Sequence, residues 1–174
     1  MEKLVLIDGH SILNRAFYGV PNLTNSEGLH TNAVYGFLNI LFKVLDEEKA
    51  DYLAVAFDLK APTFRHKMFD AYKGTRKPMP EELHEQVPLM KEVLTAMGVP
   101  ILTKEGYEAD DILGTIAKRE QKDGYEVTIL SGDRDLLQLS DTHIRICLPK
   151  TSRGTTEVHN YYPEDVIREY QVTP

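Results

Sequence analysis

A chain of 174 residues fits one domain with a sizeable core, and 42% hydrophobic with 27% charged residues excludes a disordered polymer. The single cysteine, Cys147, excludes a disulfide framework and a cysteine zinc site and suits a reducing cytoplasm. No apolar run approaches the ~18 residues of a membrane span, so no membrane partner is expected. A net charge of −7 disfavours a nucleic-acid partner unless the acids are gathered where cations neutralise them.

The run Leu4–Ile7 reads as a buried strand, followed by helical character from Ser11 to Tyr18 and a polar loop from Pro21 to Gly28. Thr31 or Asn32 caps a helix reaching about Glu48, with Val34, Phe37, Leu38, Leu41, Val44 and Leu45 at helical spacing. Tyr52–Phe57 is a second strand. A long helix starts near Pro80 and runs to Met97, where Gly98 stops it; Pro88 should kink it. Val99–Leu102, Glu126–Leu130 and Ile144–Leu148 complete five strands, with a helix over Ala109–Gln121 and a short one over Asp133–Leu139. Strands alternating with helices predict an α/β fold of three layers: a mostly parallel sheet of about five strands, helices on both faces, and ligands beyond the carboxyl ends of the strands.

Seven carboxylates fall at four stops: Asp8, Asp58, the run holding Glu108, Asp110 and Asp111, and the pair Asp133 and Asp135. Three of the stops follow a predicted strand directly, so they converge on one rim of the sheet. Each acid taken alone has an ordinary reading as a helix N-cap or turn residue. A cap needs one acid, however, and the third stop has three within four residues. Like charges gathered this closely call for cations between them. Hard oxygen donors suit Mg²⁺ or Mn²⁺, and two such ions ~4 Å apart activate water and stabilise the leaving oxygen of a phosphodiester.

Competing chemistries fail on spacing. Asp8 is followed by Gly9 and His10, not by the second Asp of an aspartyl phosphatase; no nucleotide-cradling glycine loop is present; and the six histidines form no close pair for zinc. From Leu59 to Pro80, six cations (Lys60, Arg65, Lys67, Lys73, Arg76, Lys77) face one acid, Asp70, and Phe64, Phe69 and Tyr72 are interleaved. A solvated loop is the ordinary reading of such a run. Beside a carboxylate rim it also reads as a clamp for single-stranded nucleic acid. On the first helix Ser11, Arg15 and Tyr18 share one face leading from Asp8, suited to a phosphate contact and a base-stacking ring; packing is the alternative for Tyr18.

The strings Leu-Ile-Asp-Gly-His-Ser (6–11), Tyr-Lys-Gly-Thr-Arg-Lys-Pro-Met-Pro (72–80), Gly-Tyr-Glu-Ala-Asp-Asp-Ile-Leu (106–113) and Ser-Gly-Asp-Arg-Asp-Leu-Leu-Gln-Leu (131–139) resemble the amino-terminal 5′-nuclease domain of bacterial DNA polymerase I, in the flap-endonuclease group of PIN-like (resolvase-like) nucleases. The likeness covers the whole chain, with a helical arch at about 59–82. It implies that Asp8, Asp58, Glu108, Asp110, Asp111, Asp133 and Asp135 are metal-site acids. It implies that Lys73 and Arg76 act on the scissile phosphate from the arch, and that Arg15, Tyr18, Thr31, Asn32, Arg65, Tyr72 and Lys77 meet DNA bearing a 5′ single-stranded flap or end. The family domain continues into a helix–three-turn–helix element and two further aspartates, both beyond Pro174. A truncated lobe of a longer polymerase I chain is therefore expected, acting as a monomer, with one complete metal site and a weak second one resting on Asp135.

Three functions are carried forward. The first is a metal-dependent 5′-3′ exonuclease and flap endonuclease of replication and repair, removing primers and flaps. The second is a non-catalytic metal- and DNA-binding fragment. The third is a PIN-type ribonuclease, which would not need the long arch.

Overall fold

The computed structural model describes residues 1–152 and 155–174. Its centre is β1 (Lys3–Asp8), apolar at successive positions because both of its faces are covered. Val5 and Ile7 enter one core with α1 (Gly9–Gly19), α2 (Asn32–Glu48) and α5 (Gln86–Ala96). Leu6 enters the other with α6 (Ala109–Glu120) and α7 (Pro163–Tyr170). β2 (Tyr52–Ala56) splits in the same way, Val55 to the first core and Ala54 and Ala56 to the second.

With β3 (Ile101–Leu102), β4 (Glu126–Leu130), β5 (Ile144–Ser152) and β6 (Thr155–Tyr161), the sheet has six strands in the order β3-β2-β1-β4-β5-β6. The pairings are parallel except β5–β6. The expected five strands are thus corrected to six. β6 is an antiparallel edge strand of mixed polarity, Thr-Thr-Glu-Val-His-Asn-Tyr, which carries no buried-strand signal, and β5 runs past the expected Leu148 to pair with it. α7 was also unforeseen, although Pro163 at its first turn and the acids Glu164 and Asp165 behind it are ordinary start signals.

Two local features set the geometry. Pro88 has no N–H to return to His84, and the expected long helix is interrupted there, α4 (Glu81–His84) ending before Glu85 and α5 starting at Gln86. α1 and α2 approach closely because Gly36 lies between them: a methyl there would stand 2.8 Å from Ala16 Cβ and from Val20. The basic stretch holds only α3 (Phe64–Met68), which buries no residue, and consecutive turns after it.

Candidate active site

The strand order reverses between β1 and β4, and in open parallel sheets the crevice at that point receives ligands. Asp8 ends β1 on one side of it; Ser131, Gly132 and Asp133 follow β4 on the other. Asp8 is buried, caps α1 by accepting Ser11 N–H at 3.3 Å, and accepts the Ser131 hydroxyl at 3.0 Å. Burial outweighs these bonds and pushes its carboxyl up to about 6.

Asp58 stands two residues past β2, and its Oδ1 accepts Ala109 N–H at 2.7 Å, tying the end of β2 to the start of α6. Its own N–H donates to His10 Nδ1 at 3.2 Å. His10 lies in α1, edge-on to the buried Phe57 ring, and burial lowers its imidazole pKa. Gly9 is obligatory between Asp8 and His10, since a methyl there would lie 2.5 Å from the Phe57 ring.

Glu108 precedes α6 in extended backbone as its cap residue, and its N–H donates to Asp111 at 3.0 Å. Carboxylate oxygens of Glu108, Asp110 and Asp111 lie within 4.8 Å of one another. The basic stretch folds onto two of these acids. Arg65 donates to Glu108 at 2.6 Å and to both oxygens of Asp111 at 2.8 and 2.7 Å; Tyr72 donates its hydroxyl to Glu108 at 3.1 Å; Lys73 donates to Glu108. Arg65 holds the Asp111 carboxyl below its usual range. Burial opposes the same effect on Glu108, but Lys73, Tyr72 and Arg65 prevail and lower it. Asp110 differs: burial, then the charges of Asp111 and Glu108, raise its pKa, and its buried Oδ1 has no hydrogen-bond partner among the described residues.

A cavity of about 930 Å³ lies above the rim. Asp8, Asp58, Glu108, Asp110 and Asp133 border it, with Ser11, Asn14 and Tyr18 from α1 and Lys73, Arg76 and Lys77 from the basic stretch. Tyr18 is exposed, its ring edge-on to Phe17. Arg15 lies against Gly132, where a methyl would meet its Nε at 3.1 Å. Asp111 stands behind the wall in the grip of Arg65. Asp135 is exposed outside the cavity; its N–H donates to Asp133 at 2.9 Å.

Neither Thr31 nor Asn32 borders the cavity. Asn32 is 3% exposed; its amide donates to the Phe17 and Val20 carbonyls and accepts from Gln86. Gln86 in turn accepts the Ala33 and Val34 N–H groups, closing the start of α2. Asn32 is therefore a brace between α1, α2 and α5, a correction to its expected place at the DNA surface. Thr31, half-buried, is held through its backbone by Leu23 and Tyr35. Ser131, Lys60, His84 and Lys91 also belong to the site. Ser131 was findable, since it follows β4 as Asp8 follows its strand; a lone lysine on a helix gives no such signal.

A family model described as the 5′-3′ exonuclease, N-terminal resolvase-like domain matches residues 3–171. The chain belongs to that family. Relatives of this 5′-3′ exonuclease domain include DNA polymerase I of Bacillus caldotenax, 49% identical over 173 residues, which are 99% of this chain and 20% of the relative. DNA polymerase I of Bacillus subtilis is likewise 49% identical, over 99% of this chain and 19% of the relative. The domain thus spans about a fifth of the length of the curated relatives it matches. Among solved structures, a bacteriophage T5 flap endonuclease in a pseudo-enzyme–product complex with DNA and metal ions has the same fold. It aligns at a TM-score of 0.73 and 22% identity, over 98% of this chain and 61% of that one.

Proposed function

We propose that this 5′-3′ exonuclease domain hydrolyses phosphodiesters of DNA bearing a 5′ single-stranded flap or end, as the nuclease lobe of a DNA polymerase I in the cytoplasm. The observation that carries the reading is the unpartnered, buried Asp110 Oδ1 beside Asp8, Asp58 and Asp133 in a cavity bordered by Lys73 and Arg76. A buried oxygen without a donor and carboxyls with raised pKa fit a divalent cation, and a donor set made only of oxygens fits Mg²⁺ or Mn²⁺. Asp8, Asp58, Asp110 and Asp133 would hold it, with Glu108 and Asp111 in reach. Such an ion supplies Lewis acidity and a nucleophilic water at neutral pH.

The protein's own groups do the positioning. Arg65 keeps Asp111 and Glu108 ionised and fixed at the start of α6. Lys73, bound to Glu108 at the border of the cavity, can offer its ammonium to a phosphate that enters there. Arg76 and Lys77 extend that positive border, and Arg15 and Tyr18 orient the 5′ strand along α1. The position of Asp135 outside the cavity favours a second reading, in which a second metal is held weakly and cleavage is slow. Flap cleavage in Mn²⁺ by this chain and by its Asp110→Ala variant tests the proposal. Loss of cleavage in the variant is expected, and equal rates would remove the catalytic role of the carboxylates.

A further inference from the structure

The cations assigned a role so far come from the basic stretch and from α1. The part of the cavity lined by α4 and α5 carries charges of its own: His84 and Lys91 border it, joined by Lys60 from the start of the basic stretch and by Leu59, Met79 and Pro88. Lys91 Nζ stands 5.0 Å from the centroid of the Phe57 ring, the residue before Asp58, and is close enough to His10 to help lower its pKa. Lys60 Nζ donates to His84 Nε2 at 3.0 Å. Among the described residues neither Lys60 nor Lys91 has a carboxylate within 4.0 Å, in contrast to Arg65 and Lys73, which are both bound to acids. In a protein of net charge −7, two ammonium groups turned towards a cavity without carboxylate partners mark a place for an anion.

We propose that Lys91 and Lys60, with His84 beside them, form a phosphate subsite that holds one backbone phosphate of the single-stranded 5′ segment where α4 and α5 border the cavity. Leu59, Met79 and Pro88 give the neighbouring base an apolar, sequence-neutral surface. A strand held there as well as at Lys73 and Arg76 is fixed at two places along the cavity rather than one. The inference rests on the nuclease reading and adds to it the path of the substrate strand.

The test uses Lys91→Met, which keeps the apolar stem over Phe57 and removes only the charge, in an Asp110→Asn parent that binds without cutting. Flap DNA binding in Mg²⁺ is measured against salt for parent and variant, with flaps carrying a single neutral methylphosphonate at successive positions. The variant is expected to bind roughly 5- to 10-fold more weakly, with a salt slope smaller by about one. At one flap position the methylphosphonate should weaken the parent but not the variant, and Lys91→Arg should restore binding. An unchanged salt slope, or a methylphosphonate penalty identical in parent and variant at every position, overturns the subsite while leaving the nuclease reading in place. A parent that binds no flap at any salt overturns both.

Discussion

Asp8 is where stability and function pull against each other. Its ordinary carboxyl value is 3.8, and burial raises it to about 6 in the metal-free protein. Between those values the folded state holds the proton more tightly than the unfolded chain, so metal-free stability falls as pH rises through the interval and is lower above it. The interval corresponds to roughly 3 kcal/mol. Asp8→Asn removes the charge and keeps one oxygen to accept from Ser11 N–H or the Ser131 hydroxyl; losing the other charge-assisted bond costs about 1–2 kcal/mol. The variant should therefore be more stable than the parent by about 1–2 kcal/mol near pH 7.5 in a chelator, or roughly 2–8 °C in Tm for a chain of this length. Near pH 4, where the parent carboxyl is protonated, the advantage should disappear and the lost bond should leave the variant the less stable of the two. Thermal unfolding at both pH values with EDTA measures this, and a Mg²⁺ titration should stabilise the parent more than the variant. Equal destabilisation at both pH values would refute the claim that burial of an ionised Asp8 costs stability.

Three further outcomes follow from the packing. Gly36→Val forces a side chain into the 2.8 Å approach between α1 and α2 and should cost about 1–3 kcal/mol in urea unfolding, with weaker flap cleavage because α1 carries Arg15 and Tyr18. Gln86→Leu leaves the Ala33 and Val34 N–H groups and the Asn32 amide without their buried partner; a loss of about 2–4 kcal/mol by denaturant titration is expected, with cleavage retained at low temperature. Arg65→Gln leaves Glu108 and Asp111 uncompensated, and a loss of about 1–3 kcal/mol in EDTA should shrink when Mg²⁺ is added, read as the difference between two melting curves.

The stops of the carboxylates were legible because parallel strands end in step: Asp8 pairs with Ala56, and Leu130 with Ile7 and Cys147, so the residues that follow meet on one rim. The start of α6 was legible for a local reason, the acids that gather where a helix begins. What Arg65, Tyr72 and Asn32 touch was not legible. A basic loop reads as a clamp for a partner, and only the tertiary fold shows Arg65 turned onto acids 43 and 46 residues away and Asn32 sealed beneath Gln86. β6 escaped because an edge strand of mixed polarity carries no buried-strand signal, and α7 because eight mostly polar residues bury only Val166.

The bond from Ser131 to Asp8 joins residues 123 apart, and β4 must pair beside β1 before the rim exists. During synthesis, the first carboxylates leave the ribosome long before β4 does. A nascent chain that has reached Asp111 but not β4 carries five of the seven acids and the cations of the basic stretch, yet lacks the crevice between β1 and β4. The carboxylate rim is thus complete only once β4 has paired beside β1, the last of its strands to be made.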